Sequence, residues 1–272
     1  MEQIQARDVG KVFEAADLTR VIALEGLDLD VRRGEFVCLV GPSGCGKSTF
    51  LSMIAGIEHP TSGDLRIEGE PILTPRAEVA MVFQEYSLFP WKSVLQNVAI
   101  GLKARGVPKK EREETAHRFI AMAGLRGFEH KYPCELSGGM KQRVGIARAL
   151  AVQPEVLLMD EPFGALDAQT RILFQEELLQ IYDQFQKTII FVTHNVQEAV
   201  FLADRVVVMT FRPGRVKQIF PVDIERPRTL DILDDDIFLK TQTLVWETLK
   251  EEAIKAFQAS ERVDQMDSEG LS

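Results

Sequence analysis

The sequence is short of cysteine, of excess positive charge and of long apolar runs, and each shortage excludes a class. Cys38, Cys45 and Cys134 are the three cysteines, and no two stand at CxxC spacing. A disulfide framework and a cysteine zinc site are thereby excluded, and a reducing cytosol is the expected compartment. The formal charge is −9, from 32 basic and 41 acidic residues, with no long basic run. That balance offers none of the sequence-independent phosphate attraction on which nucleic-acid binding rests, so no nucleic-acid partner is expected. Val156 to Met159 and Val206 to Met209 are typical apolar runs, and none in the sequence is longer than five residues. A membrane span needs roughly 18 apolar residues, so any service to a membrane is expected from outside the bilayer. The first residues, MEQIQARDVGKVF, are charged early and carry no signal-type apolar core. There is no internal repeat and no low-complexity stretch.

What remains is ample for a core. The chain has 272 residues, and 45% of them are hydrophobic. Alternating apolar positions such as Leu27, Leu29 and Val31 predict short strands over Gln3–Phe13 and Val21–Val31. Glu35–Val40 reads as a buried strand leading into a glycine-rich loop, and Thr49–Ala55 as the helix after it. Short strands and turns follow over Gly63–Pro75, then a strand at Val79–Phe83. Lys92–Arg105, Lys109–Gly124 and Gly138–Val152 read as helices, and Ala116, Phe119, Ile120 and Ala123 fall on one face of the second. From Glu155 onward, strand and helix alternate: Glu155–Met159, Ala168–Phe185, Thr188–Thr193, Val196–Leu202 and Arg205–Thr210. Such alternation predicts an α/β protein with a mainly parallel sheet, into which the helical stretch at about 85–150 is inserted. The expected domains are 1–222 and a C-terminal extension, 223–272. Within the extension Asp234–Asp236 reads as a solvated helix start and Ile237–Phe257 as an amphipathic helix. The polar residues after Ala259 are expected to be disordered.

Gly41–Pro–Ser–Gly–Cys–Gly–Lys–Ser–Thr49 matches GxxxxGK[ST], between a predicted strand and a predicted helix. Glycines at 41, 44 and 46 let the backbone curl so that successive N–H groups, with Ser43, Cys45 and Thr49 in the same loop, converge on phosphate oxygens. The helix that follows adds its positive end. Lys47 can reach the β- and γ-phosphates and the Ser48 hydroxyl can ligate Mg²⁺, so ATP and Mg²⁺ are the expected cofactors. Val156–Leu–Leu–Met–Asp–Glu161 ends a buried strand in two carboxylates, which need solvent, a partner or a metal. Asp160 suits contact with Mg²⁺, and Glu161 suits polarisation of the attacking water.

Leu136–Ser–Gly–Gly–Met–Lys–Gln–Arg143, placed between these motifs, resembles the signature segment of ATP-binding-cassette transporter ATPases. Gln84 is similar to that family's Q-loop, Ala165–Leu–Asp167 to its D-loop and His194 to its switch histidine. The resemblance spans roughly residues 3–220. It implies a P-loop core with an N-terminal antiparallel β subdomain and an inserted helical subdomain. It also implies two cassettes facing head to tail, so that Ser137, Gly138, Gly139 and Asp167 of each act at the nucleotide of the other. Gln84 would sense Mg²⁺ and the γ-phosphate, His194 would contact the γ-phosphate, and Phe13 would stack on adenine. Independently of the family, Ser137 can cap the helix it precedes.

The absence of fused membrane helices implies separate membrane subunits: two permeases and an external solute-binding protein, with this chain at the cytoplasmic face of a bacterial membrane. Tyr86–Ser–Leu–Phe–Pro–Trp91, the LSGGM form of the signature and Phe211–Arg–Pro–Gly–Arg215 look like importers of nitrate, bicarbonate, sulfonate or taurine. The alternative is a soluble cassette ATPase acting on DNA or ribosomes.

Overall fold

The computed structural model describes residues 2–14, 20–164 and 166–269. In chain order the strands are β1 (Glu2–Glu14), β2 (Arg20–Arg32), β3 (Phe36–Val40), β4 (Ser62–Ile67), β5 (Glu70–Pro71), β6 (Val79–Val82), β7 (Val156–Asp160), β8 (Thr188–Thr193), β9 (Arg205–Met209) and β10 (Val216–Pro221). The helices are α1 (Lys47–Ile54), α2 (Val94–Val98), α3 (Ile100–Ala104), α4 (Lys109–Met122), α5 (Gly138–Ala151), α6 (Ala168–Phe185), α7 (Val196–Leu202) and α8 (Asp236–Glu269). The chain divides into two compact units: residues 1–75 with 190–272, and residues 76–189.

The first unit contains the antiparallel sheet β2-β1-β4-β5, pinned by pairs such as Ala6↔Leu29, Val9↔Leu27 and Ile4↔Ile67. It also contains the run β10-β9-β3-β8, in which β3 lies parallel to β9 and β10 antiparallel to it. Every residue of β3 is buried, as a strand covered on both faces demands, and hence it reads as one apolar run rather than an alternation. Glu35 closes the entry to this strand. Its carboxylate takes both Arg205 Nε, at 2.5 Å, and the Arg205 guanidinium NH2, at 3.0 Å, and also accepts the Arg32 N–H at 2.8 Å. The helix α8 lays Phe238, Val245, Leu249 and Glu252 on its buried side.

The second unit carries β6 and β7 in parallel, with Val79 opposite Val156 and Val82 opposite Met159. Helices α2 to α5 pack on one another around Val98, Phe119, Ile120, Val144 and Ala147, all buried. Ala116, Phe119 and Ile120 of α4 are buried as their spacing predicts, whereas Ala123 at its end is half-buried.

Two expectations are corrected. The single helix predicted over Lys92–Arg105 starts at Val94, because Ser93 caps it in a capping box with Gln96, and it is divided at Ala99 into α2 and α3. The backbone ladder nonetheless runs through: Lys103 N–H donates to the Ala99 carbonyl at 2.9 Å. Second, helix α8 continues past Ala259 to Glu269. A long helix already nucleated upstream adds further residues at little cost, so the change to polar composition does not end it. The acidic run before it is partly a cap: Asp235 Oδ1 accepts the Ile237 N–H at 2.7 Å.

Candidate functional site

In the first unit, β3 ends at the phosphate loop and α1 begins inside it. Gly46 is the residue before α1, with φ 94°, and Gly44 has φ 75°. Both values lie in the left-handed region that residues with a Cβ avoid, so the glycines of the motif are set by backbone geometry. Gly41 and Cys45 are buried, Ser43 and Ser48 are exposed and Thr49 is half-buried. The Lys47 ammonium donates to the Gly41 carbonyl at 2.8 Å and to the Pro42 carbonyl at 3.0 Å, which holds it across the mouth of the loop. Cys45 Sγ lies 3.6 Å from the same ammonium. Burial pushes that thiol up despite the neighbouring charge, so it stays protonated and is inert at neutral pH.

His194 follows β8 directly and is exposed. The junction that carries it is tightly tied: Asn195 N–H donates to Thr193 Oγ1 at 3.0 Å, and Asn195 Oδ1 caps α7 by accepting the Glu198 N–H at 3.2 Å. Phe13 sits on β1, 38% exposed, with the Lys11 ammonium 4.9 Å from its ring centroid. The ammonium lies over the ring face, a cation–π arrangement.

In the second unit, β7 is buried along its whole length and ends in Asp160, itself buried. Glu161 comes next with φ 44°. A left-handed backbone on a non-glycine residue costs about 1 kcal/mol or more, and the surrounding structure has to hold it. Here the carboxylate lies 3.5 Å from Gln84 Nε2, so the structure brings together two of the residues singled out from sequence. Asp160 and Gln84 here, and Ser48 in the first unit, each carry an oxygen donor of the hard kind that suits Mg²⁺. Among the described residues no group of three or more His, Cys, Asp or Glu is placed to hold a metal by itself.

The signature segment opens α5. Ser137 caps it as expected, its Oγ accepting the Met140 N–H at 3.3 Å. Gly138 lies under the Tyr86 hydroxyl, where a Cβ would stand 2.9 Å from that oxygen, and Gly139 lies against Leu166. Ser137, Gly139, Leu166 and Asp167 line one open cavity of about 420 Å³, with Arg143 and Phe128 at its wall. Asp167 caps α6 through the Thr170 N–H, at 2.9 Å, and the Thr170 hydroxyl, at 2.8 Å. Those two bonds hold its carboxyl below the usual range. Ala165, the first residue of the expected D-loop, lies outside the described residues.

Within the second unit, residues that sequence reasoning passed over tie neighbouring segments together. The Arg148 guanidinium of α5 donates to the Ser87 carbonyl at 2.6 Å and to the Tyr86 carbonyl at 3.3 Å, joining the signature helix to the segment just after Gln84. Asn97, wholly buried, accepts the Phe89 N–H at 2.8 Å and donates to the carbonyls of Phe89, Lys92 and Ser93. It thereby shapes the turn that exposes 70% of Trp91. An arginine on a helix and an asparagine in an apolar stripe give no local signal of such roles.

A family model described as ABC transporter matches residues 24–164. The chain is also 50% identical over 254 residues to an uncharacterized ABC transporter ATP-binding protein of Methanocaldococcus jannaschii, covering 93% of this chain and 94% of that one. The chain belongs to the ABC transporter family, as an ATP-binding subunit. Like other ABC ATPases, it hydrolyses ATP. It is 48% identical over 243 residues to the nitrate import ATP-binding protein of a Synechocystis species, covering 87% of this chain and 91% of that one. Among solved structures, a dimeric post-hydrolysis ABC cassette bound to ADP and phosphate superposes with a TM-score of 0.74 at 30% identity, covering 82% of this chain and all of that one. The α/β cassette fold expected from sequence is present, with its mainly parallel strands, antiparallel N-terminal sheet and helical portion. No helix among the described residues is long and apolar enough to cross a membrane.

Proposed function

We propose that this ABC ATPase powers import of a small anion of the nitrate type, from the cytoplasmic face of the cell membrane. It would work as one of two cassettes under two membrane subunits, with an external protein delivering the solute. The observation that carries the catalytic reading is the left-handed Glu161, directly after buried Asp160 and 3.5 Å from Gln84. The amide N–H groups of Gly41–Thr49 and the Lys47 ammonium bind the β- and γ-phosphates. Ser48, Gln84 and Asp160 would hold Mg²⁺, which would offset the negative charge on the phosphoryl oxygens. Glu161 orients and polarises the attacking water, His194 donates to the γ-phosphate and Phe13 stacks on adenine. Ser137, Gly138 and Gly139 approach the nucleotide of the second cassette through the start of α5, whose amide groups favour an anion. Asp167 acts across the same dimer.

Support for the anion class comes from the nitrate-import relative and from the Tyr86–Trp91 segment, whose exposed Trp91 faces solvent on the turn organised by Asn97. The two cassettes close on ATP and reopen after hydrolysis, and this motion drives the membrane subunits. Glu161→Gln tests the reading. It should keep ATP affinity within about twofold, trap a closed dimer on size-exclusion chromatography and lower turnover by at least about a hundredfold, as loss of a general base does. Wild-type turnover in that variant would remove Glu161 from the role. For the solute, nitrate-dependent ATPase stimulation in vesicles holding the complete transporter is the decisive measurement. Tight retention of nucleic acid at physiological salt would favour the soluble alternative.

A further inference from the structure

Neither the β9–β10 turn nor α8 takes part in the reading above, yet the turn reaches the phosphate loop and α8 grips the turn. The turn Thr210–Arg215 is closed by its own bonds: Thr210 N–H donates to the Arg215 carbonyl at 3.0 Å, and Thr210 Oγ1 donates to the Pro213 carbonyl at 2.7 Å. It is pressed against the loop at Gly214, where a Cβ would stand 2.0 Å from the Cys45 carbonyl oxygen. Gly214 also donates to the Ala23 carbonyl at 2.9 Å and accepts the Glu25 N–H at 3.1 Å, so the turn cannot slide. From this anchored turn Arg212 extends over the loop. Its Nε donates to the Gly44 carbonyl at 3.0 Å. The guanidinium occupies the space beside Gly44, 2.7 Å from where a Cβ would be.

That bond acts on the part of the loop that must meet phosphate. The peptide carrying the Gly44 oxygen also carries the Cys45 N–H, and a planar trans peptide fixes one when the other is held. Cys45 N–H closes the Pro42–Cys45 turn by donating to the Pro42 carbonyl at 3.3 Å. Arg212 therefore restrains the left-handed curl at Gly44, and it adds a positive charge beside the anion site.

The residue before Arg212 is gripped by the C-terminal helix. Phe211 N–H donates to Glu252 Oε2 at 2.9 Å, while Glu252 Oε1 accepts Lys217 Nζ at 2.8 Å and Lys255 Nζ at 2.7 Å. Glu252 is 1% exposed and shares its helix face with apolar Phe238, Val245 and Leu249. An apolar residue would serve packing at that position at least as well. The carboxylate is distinguished by its hold on the main chain of the turn.

We propose that Arg212 is a positioning residue for nucleotide binding and that Glu252 of α8 sets it, so that docking of the C-terminal helix tunes the affinity of the phosphate loop for nucleoside triphosphate. The proposal rests on reading Gly41–Thr49 as the nucleotide loop. The C-terminal extension thereby gains a function: anything that lifts α8 from the β9–β10 turn loosens ATP binding in the same chain.

The test is titration of the full-length protein with a fluorescent ATP analogue and Mg²⁺, alongside KM and kcat for ATP hydrolysis. Arg212→Ala should raise Kd and KM about tenfold, the effect of losing one charge-assisted hydrogen bond, with kcat at saturating ATP within about twofold. Its melting temperature should hold, because Arg212 is an exposed side chain. Arg212→Lys should recover most of the affinity. Glu252→Gln, which touches no part of the loop, should shift Kd in the same direction by about threefold, and Lys217→Gln serves if that variant folds poorly. Wild-type Kd in Arg212→Ala, or a loss confined to kcat, would overturn the positioning role. Wild-type Kd in both latch variants would overturn the control by α8. Failure of the unaltered protein to bind Mg-nucleotide would overturn the phosphate-loop reading itself, and it is seen before any substitution is made.

Discussion

Asn97→Ala should loosen one turn out of proportion to the size of the change. The Asn97 side chain is wholly buried; its Oδ1 accepts the Phe89 N–H, and its two amide hydrogens are shared among the carbonyls of Phe89, Lys92 and Ser93. Truncation leaves the part-buried Phe89 N–H without its acceptor, at a cost of about 1–2 kcal/mol, the lower part of the range for an unsatisfied buried donor. The three carbonyls lose a shared donor, but Phe89 and Lys92 are half-buried and can turn toward water. A small cavity adds to the loss, so the total should be on the order of 3 kcal/mol. Asn97→Asp keeps the acceptor for Phe89 but turns an oxygen toward three carbonyls. The new carboxyl's folded-state pKa would be raised, so its penalty applies in full at neutral pH and fades as pH falls through that value. Trp91 and Trp246 are the two tryptophans, and Trp91 sits on the affected turn, edge-on to Phe89 at 5.8 Å. Urea unfolding followed by Trp91 fluorescence in a Trp246→Phe background measures both the stability and the order of the turn. A loss below about 1 kcal/mol, with Trp91 emission and anisotropy unchanged, would refute the assignment of Asn97 as the organiser of this surface.

The other predictions concern the first unit. Lys47→Ala removes the ammonium held at the mouth of the phosphate loop, so Mg-ATP affinity or turnover should fall at least about tenfold; a wild-type ATPase rate would end the phosphate-loop argument. Burial pushes the Glu252 carboxyl up, but hydrogen bonds from Lys217, Lys255 and the Phe211 N–H outweigh it and hold the group at about 2. A depressed pKa contributes stability above the unfolded value near 4.5 that is lost as pH falls toward about 2. Lys255 is 61% exposed, so after allowance for solvent screening the contribution is on the order of 2 kcal/mol. Trp246 emission should therefore report loosening of α8 across that acid window, and Glu252→Gln should flatten the response; an identical acid profile in the two proteins would contradict it.

The motif residues could be named from sequence because their chemistry depends on local order. Glycines, lysine and serine placed consecutively after a buried strand specify an anion-binding curl before any tertiary contact exists, and Gly44 and Gly46 do adopt the left-handed angles that the motif needs. Ser137 and Asp167 cap helices through groups three residues away, and such bonds are visible in a short window. β3, β7 and β8 are buried along their whole length and read as apolar runs for that reason. The extent of order beyond Ala259 was not legible, since composition there is polar and the continuation of α8 depends on a helix nucleated upstream.

Other roles were decided by tertiary structure alone. Arg148 meets Ser87 across 61 positions, Phe211 meets Glu252 across 41, and Arg212 meets Gly44 across 168. A surface arginine, or a glutamate in an amphipathic helix, looks the same in sequence whether it faces water or grips a distant main-chain group. A side chain's partner is set by which elements the fold packs together, and no periodicity along one element records that. Sequence therefore marked the groups proposed for the phosphate chemistry, while the fold decided which other groups pack against them.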